Sequence, residues 1–290
     1  MERYINCIAH HSSEGNLLLG DKYTALVDCG MAFCAGSTIQ KVMRCLDNAL
    51  NARPLDYIFI THTHYDHIGA LPFFRKMWPD IKVITTAKGA EVLLKDTPRR
   101  VIRELSFIAA QKYGVTIDDT YNDSAYYADI IVKDKDIIEL GSISVHVLET
   151  PGHTRDSLSF FVPELELLAL NETMGVLMKD NSVFPSYLTS CTDAISSIEK
   201  CSSITHRFLS LPHRGIASST DAQGFFDKSR ASVITCRDFI LNMQEKGLNA
   251  QDMEDLFFRH YCNKDILNYQ PKEAFMANAR ATIACTLSAY

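Results

Sequence analysis

The amino-acid sequence predicts an α/β fold in which sheets and helices form layers. Short β-rich runs alternate with helical patterns up to about residue 220, an order typical of layered sheet-and-helix folds rather than of helical bundles. Beyond that point the β-rich runs stop and helical patterns continue to the C-terminus. With 290 residues, of which 47% are hydrophobic and 22% charged, the chain is long enough to bury at least one sizeable core.

Seven β-rich runs are the candidate strands of this fold. They cover residues 23–30, 56–62, 81–86, 142–150, 157–162, 166–172 and 207–211. The run 142–150 alternates most regularly between apolar and polar residues. We therefore expect Ile143, Val145 and Val147 to share one buried face of a strand.

A helix is predicted from Thr97 to Lys112. Thr97 is the expected N-cap, Pro98 suits the first turn, and Gly114 can end the helix. The apolar residues expected to share its buried face are Val101, Leu105 and Ile108. The polar stretch 116–129 that follows is either a lid over a site or a solvated excursion, as long loops generally are.

Further helices are predicted after residue 220. The first ends at Lys246, with Gly247 in the position that favours a left-handed backbone. Asn249 can cap the next helix, and Pro271 can open the last one. Since no Pro/Gly/Ser-rich linker precedes these helices, we expect them to pack on the preceding part of the chain.

Composition narrows the classes of function. A formal net charge of −6 without a basic stripe disfavours nucleic acid as the main partner, because binding phosphates requires clustered Lys and Arg. Nine scattered cysteines without a CxxC pair predict reduced, mostly buried thiols rather than a disulfide framework or a thiolate zinc site. The sequence shows neither a membrane-spanning run nor a signal-peptide pattern. We expect a cytoplasmic protein with a small-molecule substrate and no membrane partner, and a homodimer is left open.

The stretch THTHYDH, residues 61–67, carries the strongest functional signal. Three imidazoles so close together repel one another when protonated and lose hydration when buried, so a metal explains them better than core packing does. His62 and His64 can point the same way at the carboxyl end of a strand, where open α/β folds place their sites. Asp66 and His67 begin the next turn, so two neighbouring metal positions are expected. These donors suit zinc, iron(II) or manganese.

HTHYDH resembles the HxHxDH signature of the metallo-β-lactamase fold superfamily. Three further segments resemble the family in the same order, namely ALVDCG (25–30), ETPGHTRDS (149–157) and LSLPHRG (209–215). The resemblance implies a four-layer αβ/βα sandwich of two mixed β-sheets flanked by helices. It also implies the following domains: a catalytic domain at 1–217 with a helical insertion near 88–135, and a helical extension at 218–290 packed on it. This layout resembles a thioesterase-like branch of the family.

The resemblance implies a ligand set for two divalent metal ions, zinc first, with iron or manganese as alternatives. The ligands of the first ion would be His62, His64 and His153, and those of the second Asp66, His67 and His213. Asp28, at the end of ALVDCG, would support a ligand without binding metal itself.

One position departs from the family pattern. Where the family usually carries an aspartate that bridges both metals, this chain has LLALNETMG, so Glu172 stands in its place. Glutamate is longer by one methylene, about 1.5 Å, so the strand must sit back or the carboxylate must bind differently. We predict that Glu172 still ligates. The histidines expected to be ordinary surface or core residues are His10, His11, His146, His206 and His260.

The function implied by the resemblance is a dinuclear metal-dependent hydrolase. A metal-bridging hydroxide would attack a thioester or ester of a small molecule, with Asp66 as the catalytic residue that orients the water or moves a proton. Two alternatives stay open at this point. The same site could serve a lactonase or phosphodiesterase, or the chain could be a ligand-sensing or protein-binding module that retains metal with little turnover.

Overall fold

The computed structural model describes residues 3–7, 15–50, 53–118, 121–218 and 222–289. The fold is α/β, with two mixed β-sheets flanked by helices and a helical C-terminal part, as predicted. Within the described ranges, no helix is long and apolar enough to cross a membrane.

The chain divides into two compact units. Unit 1 comprises Met1–Glu149 and Leu158–Leu167, and unit 2 comprises Thr150–Ser157 and Leu168–Tyr290. The predicted functional division into 1–217 and 218–290 stays a prediction.

The first sheet lies wholly in unit 1 and has six strands in the order β1-β2-β3-β4-β5-β6. They are β1 (Tyr4–Asn6), β2 (Asn16–Leu19), β3 (Thr24–Val27), β4 (Tyr57–Phe59), β5 (Lys82–Thr86) and β6 (Ile130–Val132). The first three pair antiparallel, whereas β3 to β6 pair in parallel. Because Val27 lies opposite Phe59, β3 and β4 end at the same edge of the sheet. The segments that follow these two strands therefore start side by side.

Five α-helices and three further strands also lie in unit 1, besides short 3-10 helices. The helices are α1 (Ala35–Leu50), α2 (Tyr65–Ile68), α3 (Leu71–Met77), α4 (Ala87–Leu94) and α5 (Asp96–Lys112). The strands are β7 (Ile137–Glu139), β8 (Ser144–Glu149) and β9 (Leu158–Val162), which pair antiparallel in that order. The predicted buried face is confirmed, because Val145 and Val147 on β8 are buried, as is Ile143 just before the strand begins.

Helix α5 corrects two details of the sequence prediction. Thr97 is not the N-cap, because Lys95 both ends α4 and precedes α5, which begins one residue before Thr97. The buried face is also different, since Val101 is 44% exposed. The buried residues are Ile102, Ser106, Ala109 and Ala110. Ser106 lies close to Gly69, and so close an approach selects small side chains that a hydrophobic pattern does not single out.

The polar stretch 116–129 is anchored where the structure describes it, which excludes residues 119 and 120. The Arg75 guanidinium donates to the carbonyls of Ala125 and Tyr127, at 3.0 and 2.7 Å. The same guanidinium pairs with Asp129 at 2.8 Å. These bonds fix the end of the stretch against α3.

The described part of unit 2 contains short strands and five α-helices, four of which follow the last strand. The strands are β10 (Leu167–Ala169), which starts at the unit boundary, β11 (Val176–Leu177), β12 (Val183–Phe184), β13 (Phe208–Leu211) and β14 (Gly215–Ser218). The helices are α6 (Cys191–Ser202), α7 (Phe225–Glu245), α8 (Ala250–Tyr261), α9 (Lys264–Tyr269) and α10 (Lys272–Ala289). The second six-stranded sheet consists of β7 to β10, β13 and β14. The predicted cap of α8 is confirmed, because the Asn249 side chain accepts the Asp252 amide.

Within unit 2, the C-terminal helices pack on the segment that precedes them. The Tyr187 hydroxyl lies 3.0 Å from Thr286 Oγ1 on α10, and the Thr282 hydroxyl donates to the Tyr187 carbonyl at 3.0 Å. On α7, the Ser229 hydroxyl donates to the Met174 carbonyl. The buried polar groups of this contact are therefore hydrogen-bonded, as a packed interior requires.

All nine cysteines are free thiols, and six of them are buried. Burial raises the pKa of Cys7 and of Cys236 to about 12, and that of Cys285 to about 11. The prediction of mostly buried cysteines is confirmed.

Candidate metal centre

Four of the predicted ligands lie in unit 1 immediately after β4; we call His62, His64, Asp66 and His67 the unit 1 row. The chain leaves β4 at Phe59 and bends at Thr61; its backbone is extended at His64, and α2 then begins at Tyr65. The ring centroid of His62 lies 4.6 Å from that of His64 and 4.1 Å from that of His67. Strand and helical turn thus bring three imidazoles together, as the motif predicts.

Asp28 holds His67 in place from the adjacent strand end. Its Oδ2 lies 2.8 Å from His67 Nδ1, and its Oδ1 accepts the Thr61 amide at 2.8 Å. Because a carboxylate can only accept, the proton of the imidazole lies on Nδ1, which leaves Nε2 as the donor atom for a metal. Asp28 adopts a left-handed backbone with φ 58°, a conformation that Asp tolerates better than most residues. These contacts correspond to the supporting role predicted for Asp28.

Thr61 fixes His62 in a similar way. The Thr61 hydroxyl donates to Asp28 Oδ2 at 2.7 Å, so its oxygen can accept from His62 Nδ1, which lies 3.1 Å away. The Nδ1 atoms of His62 and His67 are therefore both turned toward the protein, and their Nε2 atoms toward the other side of the ring.

The C-terminal end of α2 is held by Tyr126, which in turn contacts Tyr121. The buried Tyr126 hydroxyl donates to the Gly69 carbonyl at 3.1 Å and lies 2.7 Å from the Tyr121 hydroxyl. Burial raises the pKa of Tyr121 to about 12 and that of Tyr126 well above its ordinary value. Both phenols therefore stay neutral at physiological pH and act as hydrogen-bonding groups.

Asp66 is the one carboxylate of the row, and it is partly accessible to solvent. It occupies the first turn of α2, and its side chain is 15% exposed, against 2% for that of His67. Its Oδ2 lies 3.8 Å from His67 Nε2. Solvent can therefore reach Asp66, as a group that handles a water molecule requires.

The other three predicted ligands lie in unit 2 and come from separate segments; we call His153, Glu172 and His213 the unit 2 triad. Glu172 opens a short 3-10 helix, Glu172–Met174, after the end of β10. His213 lies in the turn between β13 and β14, with a left-handed backbone at φ 57°. Such strained backbone at a candidate ligand is typical of functional sites.

Glu172 contacts both histidines of the triad. Its Oε2 lies 2.7 Å from His153 Nε2, and its Oε1 lies 2.7 Å from His213 Nε2. The longer side chain thus reaches both imidazoles at once, one with each oxygen. This arrangement answers how a glutamate can occupy the position where the family usually carries a bridging aspartate.

The partners of the two ring nitrogens of His153 indicate whether a cation fits between His153 and Glu172. His153 Nδ1 lies 2.7 Å from the Ser186 carbonyl, which can only accept, so Nδ1 carries the proton. Nε2 of the neutral imidazole is then an acceptor, yet it faces a carboxylate oxygen of Glu172, another acceptor. Two facing acceptors need a proton or a cation between them. The donor set therefore fits a metal ion.

Gly152 fixes the start of the His153 turn. Its φ of 142° belongs to a region that side-chain-bearing residues avoid, and a Cβ there would lie 2.7 Å from Ala194 and from Thr173. The Gly152 carbonyl also accepts the amides of Leu188 and Thr189, each at 3.0 Å. The turn is thus tied to the segment that leads into α6.

The predicted site residues therefore fall into two sets, each of which the structure brings together within its own unit. Every one of the seven belongs to a His, Asp and Glu cluster that could hold a metal ion. That the two sets share a pair of ions stays a prediction, as does ligation by Glu172. Sequence reasoning missed Thr61 and Ser186; only the position of Thr61, inside the motif, was a signal. His10 and His11 lie outside the described residues.

The part of the chain that contains these residues is similar to known proteins. The model of the metallo-beta-lactamase superfamily matches residues 16–213. A probable RNase of Methanocaldococcus jannaschii is 41% identical over 120 residues, which are 38% of this chain and 26% of that protein. A hydroxyacylglutathione hydrolase of Legionella pneumophila (strain Paris) is 27% identical over 154 residues, which are 53% of this chain and 45% of that protein. The chain thus spans less than half the length of either relative.

The solved structure of a metallo-beta-lactamase family protein from Thermus thermophilus resembles nearly the whole chain. The likeness covers 99% of this chain and 92% of that one, with a TM-score of 0.62 and 16% identity. At that identity it shows the fold alone.

Proposed function

The chain belongs to the metallo-β-lactamase superfamily, a superfamily of metallohydrolases, and on that premise we propose that it is a metal-dependent hydrolase acting on a thioester or ester of a small molecule. The unit 1 row and the unit 2 triad together hold a pair of divalent ions in this proposal, with zinc as the first candidate. The observation that carries it is the position of Glu172, whose two oxygens each face an imidazole nitrogen at 2.7 Å.

The residues of the two sets have distinct roles in this reaction. Divalent ions held by such donors supply Lewis-acid polarisation of the substrate carbonyl and lower the pKa of water from about 15.7 toward 7. Asp28 and Thr61 keep Nε2 of their histidines turned to the ligand side. Asp66, the accessible carboxylate, orients the attacking water and takes up its proton. No serine or cysteine nucleophile is needed.

The similarity to hydroxyacylglutathione hydrolase supports the choice of bond. That name denotes release of an acyl group from glutathione, and an acyl group on a thiol carrier is a thioester. A thioester carbonyl is an electrophile of the kind that polarisation and a positioned water cleave together. The net charge of −6 agrees with a small-molecule substrate rather than a polyanion.

A phosphodiesterase is the second candidate, because the probable RNase is the more identical of the two relatives over its shorter match. The same donors would serve phosphodiester cleavage, since a pair of metal ions stabilises the attacking and leaving oxygens alike. The acidic balance of the chain weighs against an RNA substrate.

A panel of chromogenic thioester, lactone and phosphodiester substrates tests the proposal. The protein is first freed of metal and then loaded with zinc, iron(II) or manganese, and its metal content is determined by elemental analysis. His64→Ala removes a ligand of the unit 1 row, and His206→Ala is the matched control, since His206 lies outside both sets. Asp66→Asn separates the proton-handling role from metal binding.

We expect the thioester to be cleaved fastest. His64→Ala should lose activity and metal together, His206→Ala neither, and Asp66→Asn more activity than metal. Fastest cleavage of the phosphodiester would instead establish the second candidate. If the metal-loaded protein were inert on the whole panel while Glu172→Asp gained activity by orders of magnitude, the ligand-sensing alternative would replace the enzyme proposal.

A further inference from the structure

Unit 2 contains a cavity that none of the predicted metal ligands lines. Its volume is about 600 Å³, within the range of about 300–1,000 Å³ common for small-molecule sites. Three parts of unit 2 form its walls: the β11–β12 hairpin, one face of α7, and the end of α8 with the start of α9.

The wall provided by α7 is a single stripe of the helix. Its residues are Lys228, Ala231, Ser232 and Thr235, which follow one another at the spacing of one helical face. Three of these side chains are short, which leaves room beside the helix, and two carry hydroxyls that can donate and accept. Lys228 places an ammonium group at the N-terminal end of the stripe.

The cavity carries one charge of each sign on different walls. Within the described ranges, Lys228 forms no ion pair. On the hairpin, Asp180 Oδ1 accepts the Ser182 amide at 3.0 Å and the Ser182 hydroxyl at 2.6 Å, which leaves Oδ2 for another donor. The hydrogen bond from the Ser182 side chain lowers the pKa of Asp180, so this carboxylate is ionised at neutral pH. An occupant that carries both charges can pair with both walls.

The remaining walls are aromatic and apolar. Phe184 and Tyr261 meet edge to face, with ring centroids 6.0 Å apart, and His260 stacks on Phe239 at 4.4 Å. Met178 and Ile266 are buried and add aliphatic surface. Flat rings that meet edge to face favour an aromatic ligand, because it can join the same packing.

We propose that this cavity binds a small aromatic zwitterion, an aromatic α-amino acid being the simplest example. The carboxylate pairs with Lys228, the ammonium group pairs with Asp180, and the ring lies against Phe184 and Tyr261. This site is separate from the proposed hydrolytic function and does not depend on it.

Three fluorinated probes separate the contributions of the two charges. Para-fluoro-L-phenylalanine carries both charges, para-fluorophenylpropanoate lacks the amine, and para-fluorophenethylamine lacks the carboxylate. Binding of each to the full chain is measured by fluorine NMR titration. The variants are Lys228→Gln and Asp180→Asn, and Ala231→Trp fills the cavity. Lys246→Gln is the matched control, since Lys246 lies on the chain just after α7 and outside the cavity.

We expect the zwitterion to bind most tightly. Lys228→Gln should weaken the binding of the two probes that carry a carboxylate by about tenfold, because one charge-assisted contact is lost. The affinity for para-fluorophenethylamine, which has no carboxylate, should not change. Asp180→Asn should do the converse. Ala231→Trp should abolish all binding without lowering the melting temperature, and Lys246→Gln should change nothing.

Three results would overturn the proposal. Equal affinities for the three probes would show that the charges do not select the ligand. Binding that survives Ala231→Trp would place the probe elsewhere, for example on a metal that attracts carboxylates. An equal loss in Lys246→Gln and Lys228→Gln would reveal a general charge effect rather than a site.

Discussion

Units 1 and 2 supply their candidate ligands in different ways. The unit 1 row comes from one short stretch, 62–67, whose geometry is set by a strand end and the helical turn that follows. The unit 2 triad comes from three separate segments that only tertiary packing brings together. Glu172 joins these segments through bonds of 2.7 Å to each histidine. We therefore expect the row to tolerate change around it, whereas the triad should depend on its surroundings.

Replacing Glu172 should have the largest effect. Glu172→Gln keeps the size of the side chain but removes the charge between two imidazole nitrogens, so the triad loses its attraction for a cation. We expect metal affinity to fall by at least about a hundredfold, the upper end of the loss caused by removing an outer partner of a ligand. Elemental analysis after dialysis against buffered zinc measures this.

Glu199→Gln is the control for that experiment. Glu199 is 58% exposed and pairs with Arg230 on the surface of unit 2, so its replacement should leave the metal content unchanged. An unchanged metal content in Glu172→Gln as well would exclude Glu172 as a ligand.

Gly152→Ala should test the dependence of the triad on packing. The added methyl group would meet Ala194 and Thr173 at 2.7 Å, at a φ that alanine avoids. We expect the free energy of unfolding to fall by about 2–3 kcal/mol, as measured by urea denaturation. In unit 1, a Cβ at Gly36 meets nothing within 4 Å, so Gly36→Ala should change stability by no more than about 0.5 kcal/mol. Equal losses in both variants would contradict the contrast between the units.

Asp28→Asn should test how far the row depends on the support that Asp28 gives to His67. Asparagine has the same shape and tolerates φ 58°, so the variant removes mainly the charge that accepts from His67 Nδ1. We expect metal affinity to fall by about 10–100-fold while the melting temperature of the metal-free protein changes little. A loss as large as that of Glu172→Gln would mean that Asp28 is itself a ligand.

The smallest effect is expected at the Arg75 anchor, which lies in unit 1 outside the row. Burial works against ionisation of Asp129, but the hydrogen bonds from the Val83 amide and Arg75 hold the pKa of its carboxyl below its ordinary value. A lowered pKa contributes stability above the unfolded value of about 3.9, and this contribution is lost as pH falls through the folded pKa.

Asp129→Asn should therefore lower the free energy of unfolding near neutral pH, by no more than about 1 kcal/mol because solvent screens the pair. The difference from the parent protein should shrink between about pH 5 and pH 2 in urea denaturation series. Asp238→Asn, at a side chain 58% exposed, is the control and should show no such trend. Metal binding should be unaffected by both variants.

The same contrast explains how much could be predicted from the sequence. The seven candidate strands are all present, and the row could be identified because its residues are adjacent and carry their chemistry in a recognisable spacing. The triad could be assigned only by resemblance, because no local pattern connects His153, Glu172 and His213.

What escaped prediction has physical reasons. Strand β2 reads NLLL and is buried at all four positions, so it lacks the alternation that identifies a strand. Strand β7 has only three residues, which is too short for a pattern. Ser186 contacts His153 Nδ1 with its backbone carbonyl at 2.7 Å and with its hydroxyl at 3.0 Å, but a single serine 33 residues away along the chain gives no local pattern that could indicate this contact.

The bonds of Glu172 also restrict how this site can diverge. One carboxylate spans two imidazoles, and an aspartate, shorter by about 1.5 Å, could not keep both contacts unless the turns that carry His153 and His213 moved inward. Among descendants of a common ancestor, an exchange of the longer acid for the shorter one should therefore be inherited together with insertions, deletions or glycine changes in those two turns. The residue at position 172 and the two turns that carry His153 and His213 would therefore change together, although they are far apart along the chain.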